Sequence, residues 1–204
     1  MAGGREVTEA PGRLCHHVRT GSREESVVEI HSQWTFDCRP EHVWPHFLHA
    51  RMDDTRPLLF RLGVPKPVSC RVLEGTPAVG NTRQCTTDRG TIDQQILVLD
   101  ENRRLRYRMV ASTVWCRDWV GLLEDEFTLT PVGDGTTRVE RRTVFSARGF
   151  FKPVRQIGLW IALLQAHRYA ARNWRRLAIA AKGRATQPAL NPGTRADPRV
   201  RSGP

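Results

Sequence analysis

The sequence predicts an α+β fold, a curved antiparallel sheet of about six or seven strands wrapped around a long C-terminal helix. Three observations carry this. One strand and one helix open the ordered part of the chain. Short alternating segments then follow one another from residue 68 to residue 145 with only turn signals between them, the spacing of consecutive antiparallel strands and not of βαβ crossovers. Finally, residues 152–181 change to helical period and contain no acidic residue.

The elements follow in order. Residues 27–36 alternate, with Val28, Ile30 and Trp34 set between Glu29, His31, Gln33 and Thr35, which is the pattern of a half-buried strand. Arg39-Pro40-Glu41 opens a helix with proline in its first turn. That helix is predicted over 42–52, with Val43, Phe47 and Leu48 on one face and Trp44 at its edge. Residues 57–62 form one more helical turn, ended by Gly63-Val64-Pro65-Lys66-Pro67. Strands are predicted at 68–73, 81–87, 91–99 and 104–111, separated by Glu74-Gly75-Thr76-Pro77, Asp88-Arg89-Gly90 and Asp100-Glu101-Asn102. In the last of these, Leu105, Tyr107 and Met109 face inward and Arg104, Arg106 and Arg108 outward. Residues 122–130 and 138–145 form a hairpin around Gly133-Asp134-Gly135. In the closing helix Ile157, Trp160, Ile161, Leu164, Ala171, Trp174 and Ala178 fall on one stripe, and Gly183 is its predicted stop.

Composition bounds the rest. The chain has 204 residues, 39% of them hydrophobic, enough for one domain with a real core. Residues 1–25 read as a flexible leader, 26–182 as the domain and 183–204 as a disordered basic tail. No apolar run approaches the ~20 residues of a membrane span, and the N-terminus has no apolar signal segment, so the expected location is cytoplasmic. The five cysteines are odd in number and widely spaced, a pattern of buried free thiols and not of a disulfide framework or zinc site. Net charge is +11, nearly all from arginine, since Lys66, Lys152 and Lys182 are the only lysines.

The strand–helix segment Val28-Glu29-Ile30 through Arg39-Pro40-Glu41-His42-Val43-Trp44 carries a family resemblance. So do Arg103-Arg104-Leu105-Arg106-Tyr107, the hairpin Phe127-Thr128-Leu129-Thr130-Pro131 with Asp134-Gly135-Thr136-Thr137-Arg138-Val139, and the closing helix. Together they resemble the START-like (SRPBCC, helix-grip) superfamily of polyketide cyclases/dehydrases, Bet v 1-type allergens and lipid-transfer domains. Gly63-Val64-Pro65-Lys66-Pro67, Gly80-Asn81-Thr82-Arg83 and Asp88-Arg89-Gly90 are similar to a bacterial branch labelled polyketide cyclase/dehydrase-like. The resemblance implies an internal cavity between sheet and helix that holds an apolar or aromatic small molecule, and does not imply catalysis; no cofactor is expected.

Several residues are candidates for that site. His167 interrupts the apolar stripe between Leu164 and Ala171, where a histidine either anchors a ligand or is a core residue satisfied by a strand side chain. Arg141 shares a face with Val139, Thr143 and Phe145. A buried arginine needs a carboxylate or a ligand anion, and Asp125, in register with Phe127 and Leu129, is one available partner; the competing account is a bulge that shifts the register and turns Arg141, Asp125 and Gln94 to solvent. Gln94 lies in register with Ile92 and Ile96. Tyr107, Met109, Trp115, Phe127, Trp160 and Leu164 would supply apolar and aromatic lining, with Trp44 and Phe47 near the mouth. His42, His46 and His49 recur at helical spacing without a completing carboxylate or cysteine, so no metal is assigned.

Three readings remain at this stage. The first is binding of a small hydrophobic, lipid- or polyketide-like ligand by a monomer, with His167, Arg141 and Gln94 as polar anchors. The second is a cofactor-independent cyclase or dehydratase with His167 as general acid/base. The third is an adaptor whose Arg168, Arg172, Arg175 and Arg176 meet an anionic membrane or nucleic acid. Base-stacking aromatics are not interleaved with those arginines, so no specific nucleic acid is expected, only weak contact with anionic surfaces.

Overall fold

A computed structural model describes residues 27–133 and 135–186. The predicted leader at 1–25, and residues 187–204 of the predicted tail, lie outside them. Val28–Phe36 (β1) is followed by two one-turn helices, Pro40–Val43 (α1) and Pro45–Leu48 (α2), then by Ala50–Arg51 (β2) and Leu58–Arg61 (α3). Five longer strands follow before the last hairpin partner: Pro67–Val72 (β3), Thr82–Thr87 (β4), Gly90–Asp100 (β5), Arg104–Ser112 (β6), Val120–Pro131 (β7) and then Thr137–Ala147 (β8). Lys152–Thr186 (α4) completes the chain.

The eight strands form one antiparallel sheet in the order β1-β8-β7-β6-β5-β4-β3-β2. This is one strand beyond the sequence expectation, because the two-residue β2 pairs with β3 through Ala50↔Cys70 and Arg51↔Ser69. A single helix over 42–52 does not form. Pro45 lacks the N–H that would continue α1 and its ring clashes with the preceding turn, so the chain restarts as α2 with Pro45 at its first position. The helix stop at Gly183 also fails. α4 runs 35 residues through it to Thr186, about 52 Å at 1.5 Å per residue.

Local sequence sets the tight turns. Gly90 has φ +137°, and a Cβ there would lie 2.6 Å from Thr113 Oγ1, so this turn requires glycine. Asn102 takes φ 61° between β5 and β6, a left-handed conformation that asparagine tolerates better than most residues.

The concave face of the sheet packs on α4 through two apolar clusters. The larger is centred on aromatics. Phe47 stacks on Phe127 with ring centroids 4.7 Å apart, and Trp174 meets both edge-on at 4.8 and 5.4 Å. The smaller joins Ile30, Val120, Phe145, Ala147 and Leu159. Fully burying side chains of this size contributes roughly 1.5–3 kcal/mol each, so these clusters hold α4 against the sheet. The stripe predicted for α4 is displaced in its first half: Ile157 and Ile161 are exposed, while Leu159 is buried. On the outer face Arg106 and Arg108 clamp Glu124, and Arg104 holds Glu126 at 2.8 Å, as the inward Leu105-Tyr107 alternation requires.

The thiol expectation is corrected for one pair. Cys70 and Cys85 form a disulfide between β3 and β4, with Cα atoms 4.1 Å apart. They are directly opposed in the strand register, a closeness that spacing of 15 residues along the chain does not reveal. Cys38 and Cys116 are free thiols. No helix among the described residues is long and apolar enough to cross a membrane.

Candidate functional site

Between the sheet and α4, along Leu159 to Trp174, lies a cavity of about 170 Å³. Apolar side chains such as Ile92, Met109, Leu123, Leu159 and Leu163 form most of its wall, and the Cys70 and Cys85 sulfur pair adds to it. Five polar residues from five successive strands also line it: Arg83 (β4), Gln94 (β5), Tyr107 (β6), Asp125 (β7) and Arg141 (β8). All five are buried.

These groups form two connected sets. In the first, Arg141 Nε donates to Asp125 Oδ1 at 2.8 Å. The pair is diagonal across the hairpin, since Asp125 faces Thr143 and Phe127 faces Arg141 in the register. Thr143 Oγ1 also donates to Asp125 Oδ1. Burial opposes the charge on Arg141, yet Asp125 beside it keeps the guanidinium above its ordinary pKa. In the second set Arg83 Nη1 donates to Gln94 Oε1, its opposite number in the β4–β5 register, and contacts Cys85 Sγ at 2.8 Å. The Arg83 guanidinium lies over the Tyr107 ring, 4.9 Å from its centroid. Burial, reinforced by the Asp125 charge, pushes the Tyr107 phenol up to about 12, so it stays a neutral donor.

His167 sits behind this site and does not line the cavity. It is 1% exposed, with Nε2 2.8 Å from Thr143 Oγ1 and Nδ1 2.9 Å from Ser32 Oγ. The single hydroxyl proton of Thr143 goes to Asp125, because a carboxylate only accepts. Thr143 Oγ1 must therefore accept from Nε2–H, and Nδ1 accepts from Ser32. Burial first, and the Arg141 charge second, hold His167 well below its ordinary pKa, which fits this neutral tautomer. The result is one chain: Ser32 to His167 to Thr143 to Asp125, with Arg141 on the same carboxylate.

The other candidates divide. Arg141, Gln94, Asp125, Tyr107 and Met109 come together on the cavity wall. Phe127 is in the aromatic core behind it, together with Trp44 and Phe47. Trp160 and Leu164 pack against the smaller cluster. Trp115 is exposed, stacks edge-on against Trp119 and donates from Nε1 to Gly63 O. Arg83 was not foreseen. Its alternation with Cys85 and Thr87 was the available signal, but those residues are too weakly apolar to mark an inward face. On the outer side of α4, Arg175 donates to Thr35 O and Arg176 to Asn173 Oδ1. Arg168 and Arg172 are exposed.

A curled antiparallel sheet gripping a C-terminal helix around a lined cavity defines a helix-grip domain of the START-like superfamily. The chain belongs to the polyketide cyclase/dehydrase and lipid transport family, whose model matches residues 27–180. Solved structures of the same fold include the Zhui aromatase/cyclase from Streptomyces sp. R1128, at 15% identity and TM-score 0.55 over 78% of this chain and 96% of that one. Ara h 8.0201 aligns at 15% identity and TM-score 0.52, covering 76% and 99%. TTHA0849 from Thermus thermophilus aligns at 14% identity and TM-score 0.53, covering 75% and 98%. No functionally curated protein matches the chain.

Proposed function

We propose that the domain binds a small apolar or aromatic molecule in the cavity between the sheet and α4, oriented by Arg141, Gln94 and Tyr107. The observation that carries this reading is the wall itself: mostly apolar, with buried polar side chains converging on it from five strands. Apolar walls with a few placed polar groups are the usual construction of a small-molecule site. The fold also occurs in an aromatase/cyclase, which agrees with a ligand of this chemistry.

The cavity bounds the ligand's size. Drug-sized ligands occupy about 300–1,000 Å³, whereas a dry cavity of about 150 Å³ takes benzene. At about 170 Å³ the site suits one aromatic ring with a short substituent. A lipid or an extended polyketide would require α4 to move away from the sheet. The cyclase reading relies on His167 as acid/base; His167 lies behind Thr143 and does not line the cavity, which favours the binding reading.

Native mass spectrometry of the protein as purified tests the proposal. A bound species of low mass, released on denaturation, is the expected result. A protein that carries no passenger and gains none when exchanged against a panel of single-ring aromatics would end it.

A further inference from the structure

We infer that the ligand is an acid: the cavity is built for a small aromatic carboxylate, with Arg83 as its anchor. This rests on the ligand-binding reading above and specifies the ligand's charge. The buried wall carries two guanidiniums, Arg83 and Arg141, against one carboxylate, Asp125. Asp125 pairs with Arg141 at 2.8 Å, and its charge acts on Arg83 only from beyond salt-bridge distance. Among the described residues no carboxylate lies within salt-bridge distance of Arg83, whose hydrogen-bond acceptors are the uncharged Gln94 and Cys85. Tyr107 stays protonated and His167 neutral, so neither supplies the missing charge.

A buried cation without a counter-ion is costly, and it persists where something anionic joins it. Arg83 also has donors to spare: both of its hydrogen bonds leave from Nη1, and among the described residues its Nε has no acceptor. At the solvent side the exposed Arg117 also lines the cavity, which adds positive potential on the way in. Size and apolar lining restrict the acid to about one ring.

The test is isothermal titration at pH 7 with benzoate and with nitrobenzene, its neutral isostere carrying two acceptor oxygens. We expect benzoate to bind about tenfold tighter or more, the discrimination of a charge-assisted hydrogen bond. In Arg83→Met that preference should disappear, with benzoate losing about tenfold or more relative to nitrobenzene. Equal or better binding of nitrobenzene by the native protein overturns the acid inference and leaves the ligand-binding reading standing. If neither compound binds, the acid inference falls, and the native mass spectrometry above decides the ligand-binding reading. Benzoate preference that survives Arg83→Met removes Arg83 as the anchor. Should Arg83→Met not fold, the native comparison still decides the charge.

Discussion

Asp125 is the residue on which the interior polar groups depend. Arg141, Thr143 and, through Thr143, His167 all lean on one carboxylate oxygen. Arg141→Met would leave that carboxylate buried without its partner, and should cost about 3–5 kcal/mol. Adding Asp125→Asn should restore part of the loss, measured by urea denaturation of the single and double variants. An additive pair of losses would show that the two side chains do not interact. His167 makes a separate prediction. Its folded pKa lies below the ordinary value of 6.5, so the unfolded chain binds a proton that the folded chain refuses. Its stabilising contribution is therefore complete above about pH 6.5 and is lost as pH falls from there towards the folded pKa. The slope contributed reaches about 1.4 kcal/mol per pH unit. His167→Gln should flatten unfolding free energy between about pH 6.5 and 5; an unchanged slope would show that His167 is not the group responsible.

At the scale of elements, the β3–β4 ladder and the two ends of α4 stand out. The Cys70–Cys85 bridge staples a ladder that lies beside the short edge strand β2. Closing a loop of this length contributes about 3 kcal/mol. Cys70→Ser should lower the melting temperature by about 6–12 °C, taking about 2–4 °C per kcal/mol for a chain of this size. A thiol count on the denatured, unreduced protein should fall two short of the reduced protein, and equal counts would mean that the bridge is not formed. Helical periodicity found α4 itself, since 152–181 contains only one glycine and one proline beyond its first residue. It misplaced the first half of the buried stripe. Near the N-terminal end the helix faces the cavity through Leu159 and Leu163 and leaves Ile157 exposed. Which side of an apolar helix is covered depends on where the sheet lies, and Ile157 and Leu159 are equally apolar.

For the whole molecule, the strand boundaries, the hairpin at residues 131–137 and the α4 closure all follow from local signals: alternation, turn residues and a change of period. The Arg141–Asp125 pair was also legible, because two-residue periodicity in β7 and β8 puts both side chains on the face of Phe127 and Val139. Local patterns therefore specify the fold class, the order of elements and the inward direction of most polar candidates. Which inward groups meet is set by the folded chain alone. Cys70 finds Cys85 because β3 and β4 align in one register. His167 finds Ser32 and Thr143, 135 and 24 residues away, and so becomes a support instead of a cavity wall. Arg83 arrives beside Gln94 and Tyr107 with no carboxylate within salt-bridge distance among the described residues. The physical reason is that periodicity specifies a face, whereas a pairing across strands depends on register and sheet curvature, which arise only when the chain closes on itself.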